Sequence, residues 1–120
     1  MSERRRLPRA STPLPIRIVQ SSFGELEAQI INLSGSGVYC EVRRLVPLMT
    51  KVRLTLLLPS YARSRASHRI RCEGAVVRIE PMEFTAEGAA RFRTAIFFTD
   101  LSDADHDRIV SYVDHHLPPA

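Results

Sequence analysis

The chain has 120 residues, 44% of them hydrophobic and 25% charged, with a formal net charge of +4. That length holds one ordinary domain with a single core, and that balance belongs to a globular protein rather than a membrane or disordered one. No apolar run approaches the roughly 20 residues of a spanning helix, and the basic start MSERRRLPRA lacks the apolar stretch of an export signal, so the expectation is a cytoplasmic protein without membrane insertion.

Residues 1–13, MSERRRLPRASTP, carry Arg4, Arg5, Arg6 and Arg9 with no apolar period, which predicts an Arg-rich flexible arm ahead of a single domain over 14–117. Pro15 to Val19 alternate as a first strand, Phe23-Gly24-Glu25 is the turn after it, and Leu26 to Ile30 form a second strand. NLSGSG, Asn32 to Gly37, follows as a polar knot before a third strand over Val38 to Val42. Lys51 to Leu58 is a fourth strand stopped by Pro59, which cannot donate to a ladder, and residues 60–67 are a Ser/Arg-rich loop.

The fifth strand covers His68 to Glu80. It places Ile70 and Cys72 on one phase and Ala75, Val77 and Ile79 on the other, so a β-bulge is expected beside Gly74. After a loop over 81–88, Phe92 to Thr99 forms a sixth strand whose Ala95-Ile96-Phe97-Phe98 centre reads as buried on both faces. Ser102 with Asp105 three residues on is a capping signature, and Asp103, Asp105 and Asp107 suit the positive end of a helix dipole. Ile109, Tyr112, Val113 and Leu117 recur at helical spacing, giving a helix over about 102–117 that Pro118 and Pro119 stop. Six short strands and one helix make a mostly β fold, a six-stranded antiparallel β-barrel closed by a C-terminal α-helix.

The charge is uneven. Of 17 basic residues only Lys51 is a lysine, and guanidinium is a planar fork that pairs bidentately with phosphate or a guanine edge and stacks on rings. Arginines crowd the N-terminal arm while Asp100, Asp103, Asp105, Asp107 and Asp114 gather in the last segment, which suggests an anionic partner at the N-terminal end. Arg63, Arg65, Arg69 and Arg71 form a second basic cluster, read as a solvated loop and strand face with an output surface as the alternative.

Nothing in the pattern asks for catalysis. There is no nucleophile elbow, no HExxH and no GxxxxGK[ST], and His106 sits in an acidic helical turn that needs no catalytic account. Cys40 and Cys72 lie far apart in apolar surroundings and read as buried free thiols. His68, His106, His115 and His116 supply no metal-ligand spacing, so no metal or resident cofactor is expected. Taken alone, NLSGSG is either an ordinary hairpin turn, with Gly35 or Gly37 supplying positive φ, or a site whose Asn32 and Ser34 face outward.

Two stretches in order resemble the paired signatures of the PilZ domain family, an RxxxR followed by [D/N]xSxxG ahead of a six-stranded barrel and a C-terminal helix. Arg5-Arg6-Leu7-Pro8-Arg9 supplies the first through Arg5 and Arg9, and Asn32, Ser34 and Gly37 supply the second. The resemblance covers nearly the whole chain, including GAVVRI and the closing LSDADHDRIVSYV. It implies a non-catalytic bacterial receptor for the second messenger cyclic di-GMP, with Arg5, Arg9, Asn32, Ser34 and Gly37 as ligand-binding residues and Arg4 and Arg6 as accessory ones. It further implies that the ligand orders the arm against the barrel and thereby signals to a partner protein. Two other readings remain at this stage: a nucleotide-independent adaptor of the same fold, and a nucleic-acid-binding barrel, which the lack of tryptophan and the mostly buried phenylalanines disfavour.

Overall fold

The computed structural model describes residues 10–11, 14–59, 67–81 and 90–116. The alternating segments become strands β1 (Ala10–Ser11), β2 (Pro15–Gln20), β3 (Gly24–Ser34), β4 (Gly37–Val42), β5 (Lys51–Leu58), β6 (His68–Pro81) and β7 (Phe92–Asp100), followed by helix α1 (Asp103–His116). Every ladder is antiparallel, in the order β3-β2-β5-β6-β7-β4, and β4 returns to β3 to close the barrel. β1 is a short addition to the part of β3 that β2 leaves unpaired. The architecture is the six-stranded barrel with one C-terminal helix that the sequence predicts.

The period of two decides what lies inside. Ile16 and Ile18 of β2, Val38, Cys40 and Val42 of β4, and Val52, Leu54, Leu56 and Leu58 of β5 are buried, while Arg17 and Arg53 between them and Lys51 just before Val52 face water. Each such side chain contributes roughly 1.5–3 kcal/mol on burial, which is why the register of these strands is fixed. α1 lies against β3, β1 and β5 with Ile109, Tyr112 and Val113 buried. It starts where the sequence places it: the Asp105 N–H donates to Ser102 Oγ at 3.1 Å and the His106 N–H to the Ser102 carbonyl at 2.8 Å. Leu117 lies outside the described residues.

Several expectations change. β7 is not buried on both faces: Ile96 and Phe98 point inward, whereas Phe97 is 52% exposed and Ala95 half-buried. An antiparallel wall has only one core face, so an unbroken apolar run must send alternate members outward. In β6 the inward phase runs through Ile70, Cys72, Gly74 and Val76, leaving Ala75 half-buried and Val77 exposed. The ladder is irregular beside Gly74 as expected, but the phase changes at a second irregularity, between Val76 and Arg78. Ala10 and Ser11 belong to a strand within the segment read as an arm; the rest of 1–13 lies outside the described residues, as do Arg63 and Arg65.

Gly37 is where β4 meets β7. A Cβ built there would stand 2.4 Å from the Ile96 carbonyl oxygen, so the two backbones pack with no room for a side chain. Gly37→Ala is therefore expected to lower unfolding free energy by about 1–3 kcal/mol, the usual cost of overpacking, read as a drop in the midpoint of a denaturant melt.

Cys40 and Cys72 are free and buried. Burial pushes both thiols from the ordinary 9.0 up to about 12, with nearby carboxylates adding to the effect at Cys72. The folded chain thus holds these protons where the unfolded chain has lost them, so their contribution is complete below about 9 and is lost as pH rises toward 12. Iodoacetamide at mildly alkaline pH is expected to leave both cysteines unmodified in the native protein and to alkylate both once denaturant is added, as read by mass spectrometry.

Candidate functional site

NLSGSG spans the β3–β4 hairpin: Asn32, Leu33 and Ser34 end β3, Gly35 and Ser36 form the turn, and Gly37 opens β4 as the partner of Ser34. A register shift between Ile30 and Asn32 decides where these side chains go. In a regular strand Asn32 would share the inner face with buried Ile30. One extra residue, Ile31, moves the phase by one, so Leu33 takes the core position at 0% exposure and Asn32 turns to the outer wall.

Ser34 shares the outer face with Asn32 and lines the same groove, but it is covered there, at 3% exposure. Its Oγ accepts from the Ser36 N–H at 3.3 Å and shares a hydrogen bond with Ser36 Oγ at 3.1 Å, which braces the turn. Neither glycine supplies positive φ, since the left-handed glycine among the described residues is Gly24, at φ 81 before β3. Gly35 and Gly37 are small because something packs on them. A Cβ at Gly35 would stand 2.8 Å from His106 Nε2 of α1, and at Gly37 the obstacle is the backbone of β7.

From the hairpin the outer wall continues in two cross-strand rows. Asn32 pairs with Tyr39, Tyr39 with Ala95 and Ala95 with Arg78; Ser34 pairs with Gly37, Gly37 with Phe97 and Phe97 with Ala75. Gly37 and Ala95 are the low points of these rows, and Tyr39, Val77, Arg78 and Phe97 stand around them to leave an open groove of about 300 Å³. Arg78 reaches the outer face through the extra residue Val77, the same device that turns Asn32 outward.

At the groove edge the Arg78 guanidinium lies 5.6 Å from the centre of the Tyr39 ring, and Arg78 Nε is 3.4 Å from Glu80 Oε2. The Tyr39 hydroxyl donates to Glu80. Burial first, then this carboxylate, raises the phenol pKa above 10.0, so the hydroxyl remains a donor at neutral pH. The groove thus offers an amide, a phenol, a guanidinium and the half-exposed Phe97 ring, a set suited to a planar polar ring carrying negative charge. Among the described residues lining it there is no carboxylate, imidazole or thiol to activate a hydroxyl, so the arrangement suits binding rather than acid–base chemistry.

Of the residues the sequence singles out, Asn32, Ser34 and Gly37 come together at this groove. Arg4, Arg5, Arg6 and Arg9 lie outside the described residues. The chain that follows Arg9 does not: Ala10 pairs with Leu33 and Ser11 with Asn32, antiparallel along the motif itself. Sequence reasoning missed Tyr39, Arg78 and Phe97. Tyr39 was legible as the outward member of VYC, but Arg78 depends on a bulge and Phe97 was misread as core.

The PilZ domain model matches residues 3–115. Solved structures share the fold at low identity. The inhibitor of motility MotI/DgrA of Bacillus subtilis has a TM-score of 0.73 at 18% identity over 93% of this chain and 50% of its own. The PilZ domain of YcgR from Escherichia coli with c-di-GMP has 0.72 at 12%, over 94% and 91%. MrkH of K. pneumonia in its apo state has 0.72 at 14%, over 93% and 50%. The chain therefore spans about half the length of the MotI and MrkH chains and nearly the whole of the YcgR domain. No curated protein matches it by sequence. With the family model covering all but the ends and the barrel, helix and hairpin in place, the chain belongs to the PilZ domain family.

Proposed function

We propose that this protein is a non-catalytic receptor for cyclic di-GMP that holds the ligand between the Arg5/Arg9 pair and the outer groove at Asn32, and relays its presence through ordering of the arm to a partner protein. The observation that carries the reading is the β1–β3 ladder, which ties the chain just after Arg9 to Leu33 and Asn32. Covalent reach then keeps Arg5, five residues before Ala10, within at most about 18 Å of that ladder. Two further points support it: membership of the PilZ family, and the YcgR PilZ domain, a structural neighbour that was solved with c-di-GMP.

The chemistry suits the ligand. Arg5 and Arg9 pair with phosphate oxygens or fork onto a guanine O6/N7 edge, with Arg4 and Arg6 adding positive charge. Asn32 accepts from the opposite guanine edge. Ser34 acts by bracing the turn, in place of the direct ligand contact the resemblance implies, and Gly37 by keeping the groove floor low. Arg78 and Phe97 extend the same wall and offer charge and a stacking face.

Isothermal titration of the purified chain with cyclic di-GMP is expected to show binding, and Arg5→Ala or Arg9→Ala to weaken it about tenfold or more, the worth of a charge-assisted hydrogen bond, with no change in melting temperature. A silent titration of the parent chain sinks the reading, and tighter binding of generic oligonucleotides would favour a nucleic-acid role. Ser34→Ala is expected to differ from the arginine variants: it lowers stability by about 1 kcal/mol and affinity together, because a buried turn bond is lost. Arg78→Ala should weaken binding severalfold while leaving the melt unchanged; equal affinity would exclude Arg78 from the ligand's footprint.

A further inference from the structure

At the end of the barrel opposite the NLSGSG hairpin, the chain leaves β4 at Val42 and returns at Lys51 to begin β5. We propose that this β4–β5 loop is a docking tip for an anionic lipid surface, seating on the headgroup layer without spanning the bilayer. No helix among the described residues is long and apolar enough to cross a membrane.

Three large apolar side chains stand in water within five residues: Leu45 at 51%, Leu48 at 57% and Met49 at 73% exposure. Val46 between them is 1% exposed and pins the loop to the core. Met49 has φ 69, the one non-glycine positive φ among the described residues, a conformation that a side chain with a Cβ resists. The backbone enforces it: the Met49 N–H donates to the Val76 carbonyl at 2.7 Å, the Val76 N–H to the Thr50 carbonyl at 3.0 Å, and Thr50 Oγ1 to the Pro47 carbonyl at 2.6 Å. A tip built this way is preformed, so docking need not order it.

The sign of the surrounding charge indicates what covers the tip. From Val42 to Val52 the chain holds Arg43, Arg44 and Lys51 and no acid, and all three cations are exposed. Arg44 is held 5.3 Å over the Phe23 ring, which fixes one cation beside the tip. Apolar side chains at a turn with cations behind them match an apolar layer beneath a negative one. The barrel's other basic face is different in kind. There Arg17, Arg53, Arg69 and Arg71 are interleaved with Glu25 and Glu27, and Glu73 pairs with Arg53, a pattern that a uniformly negative sheet would meet with repulsion.

The test is co-sedimentation of the full chain with vesicles of phosphatidylcholine alone and of phosphatidylcholine containing phosphatidylglycerol. The parent is expected to pellet with the anionic vesicles and to stay in solution with the neutral ones. Leu48→Ser should lower partitioning about tenfold, the worth of one inserted side chain, and Arg43→Gln with Lys51→Gln about fivefold per charge. Met49→Gly should lower partitioning while keeping or raising the melting temperature, because glycine accepts φ 69; a merely structural role would not separate the two. The arginine arm also attracts anionic lipid, so every tip variant is repeated with Arg4, Arg5, Arg6 and Arg9 changed to Gln. A parent chain that stays in solution, or tip variants that pellet like their parents in both backgrounds, overturns the proposal and leaves the loop to a protein partner.

Discussion

Of the described glycines Gly37 is the most tightly enclosed: a methyl group there would stand 2.4 Å from the Ile96 carbonyl oxygen. β4 is the strand that closes the sheet, pairing with β7 along all six of its residues and with β3 from Gly37 to Glu41. Without that strand the sheet would present two long edges of unpaired backbone, a template for association with other chains. The glycine that ends NxSxxG is therefore a condition for closure before it has any bearing on a ligand. The groove exists because closure sets Gly37 and Ala95 diagonally across β4 and β7 on the outer wall, where larger side chains would fill it.

The groove's polar side chains depend on a second device. The wall is built by strict alternation, and alternation alone would put Asn32 inside with Ile30 and leave no outward place for Arg78 next to Ala95. One extra residue in each of two strands, Ile31 in β3 and Val77 in β6, shifts the phase where each strand reaches the groove. The cost is a local break in two ladders. The gain is that a carboxamide and a guanidinium face the same wall across β4 and β7, held by backbone rather than by their own rotamers.

Much of this was written in the sequence and some was not, for definite reasons. The strands from β4 onward and the helix are legible to within a residue or two because their apolar periods are strong and their ends are marked by Gly37, Pro59 and Ser102. Phe97 was misread because a run of four apolar residues carries no phase of its own; its partners across the sheet decide which members face water. The bulges at Ile31 and Val77 lack the glycine that marks the irregularity at Gly74, and their places are settled only by pairing with the neighbouring strand. β1 rests on two residues whose pairing with Leu33 and Asn32 no local propensity encodes. Ser34 lies on the groove face with its Oγ engaged by the turn, a detail the motif does not carry because a serine immediately before a turn is equally apt to face a ligand or to brace the backbone.

The proposed relay must satisfy an energetic condition, and β1 eases it. Ordering Arg5 through Arg9 costs about 1–2 kcal/mol per residue in backbone entropy, about 5–10 kcal/mol for the five. A charge-assisted hydrogen bond returns about 1.5–3 kcal/mol, so a ligand has to offer several such bonds at once. A molecule with two phosphodiesters and two guanine edges can do so, whereas a single phosphate or carboxylate cannot. Had the ladder between Ala10–Ser11 and Leu33–Asn32 been absent, the ordering would have extended through Ser11 and the condition would have been harder to meet. In the proposed relay a two-residue strand would thus set how selective the arm is for a multivalent anion, because it would fix how much chain remains for the ligand to order.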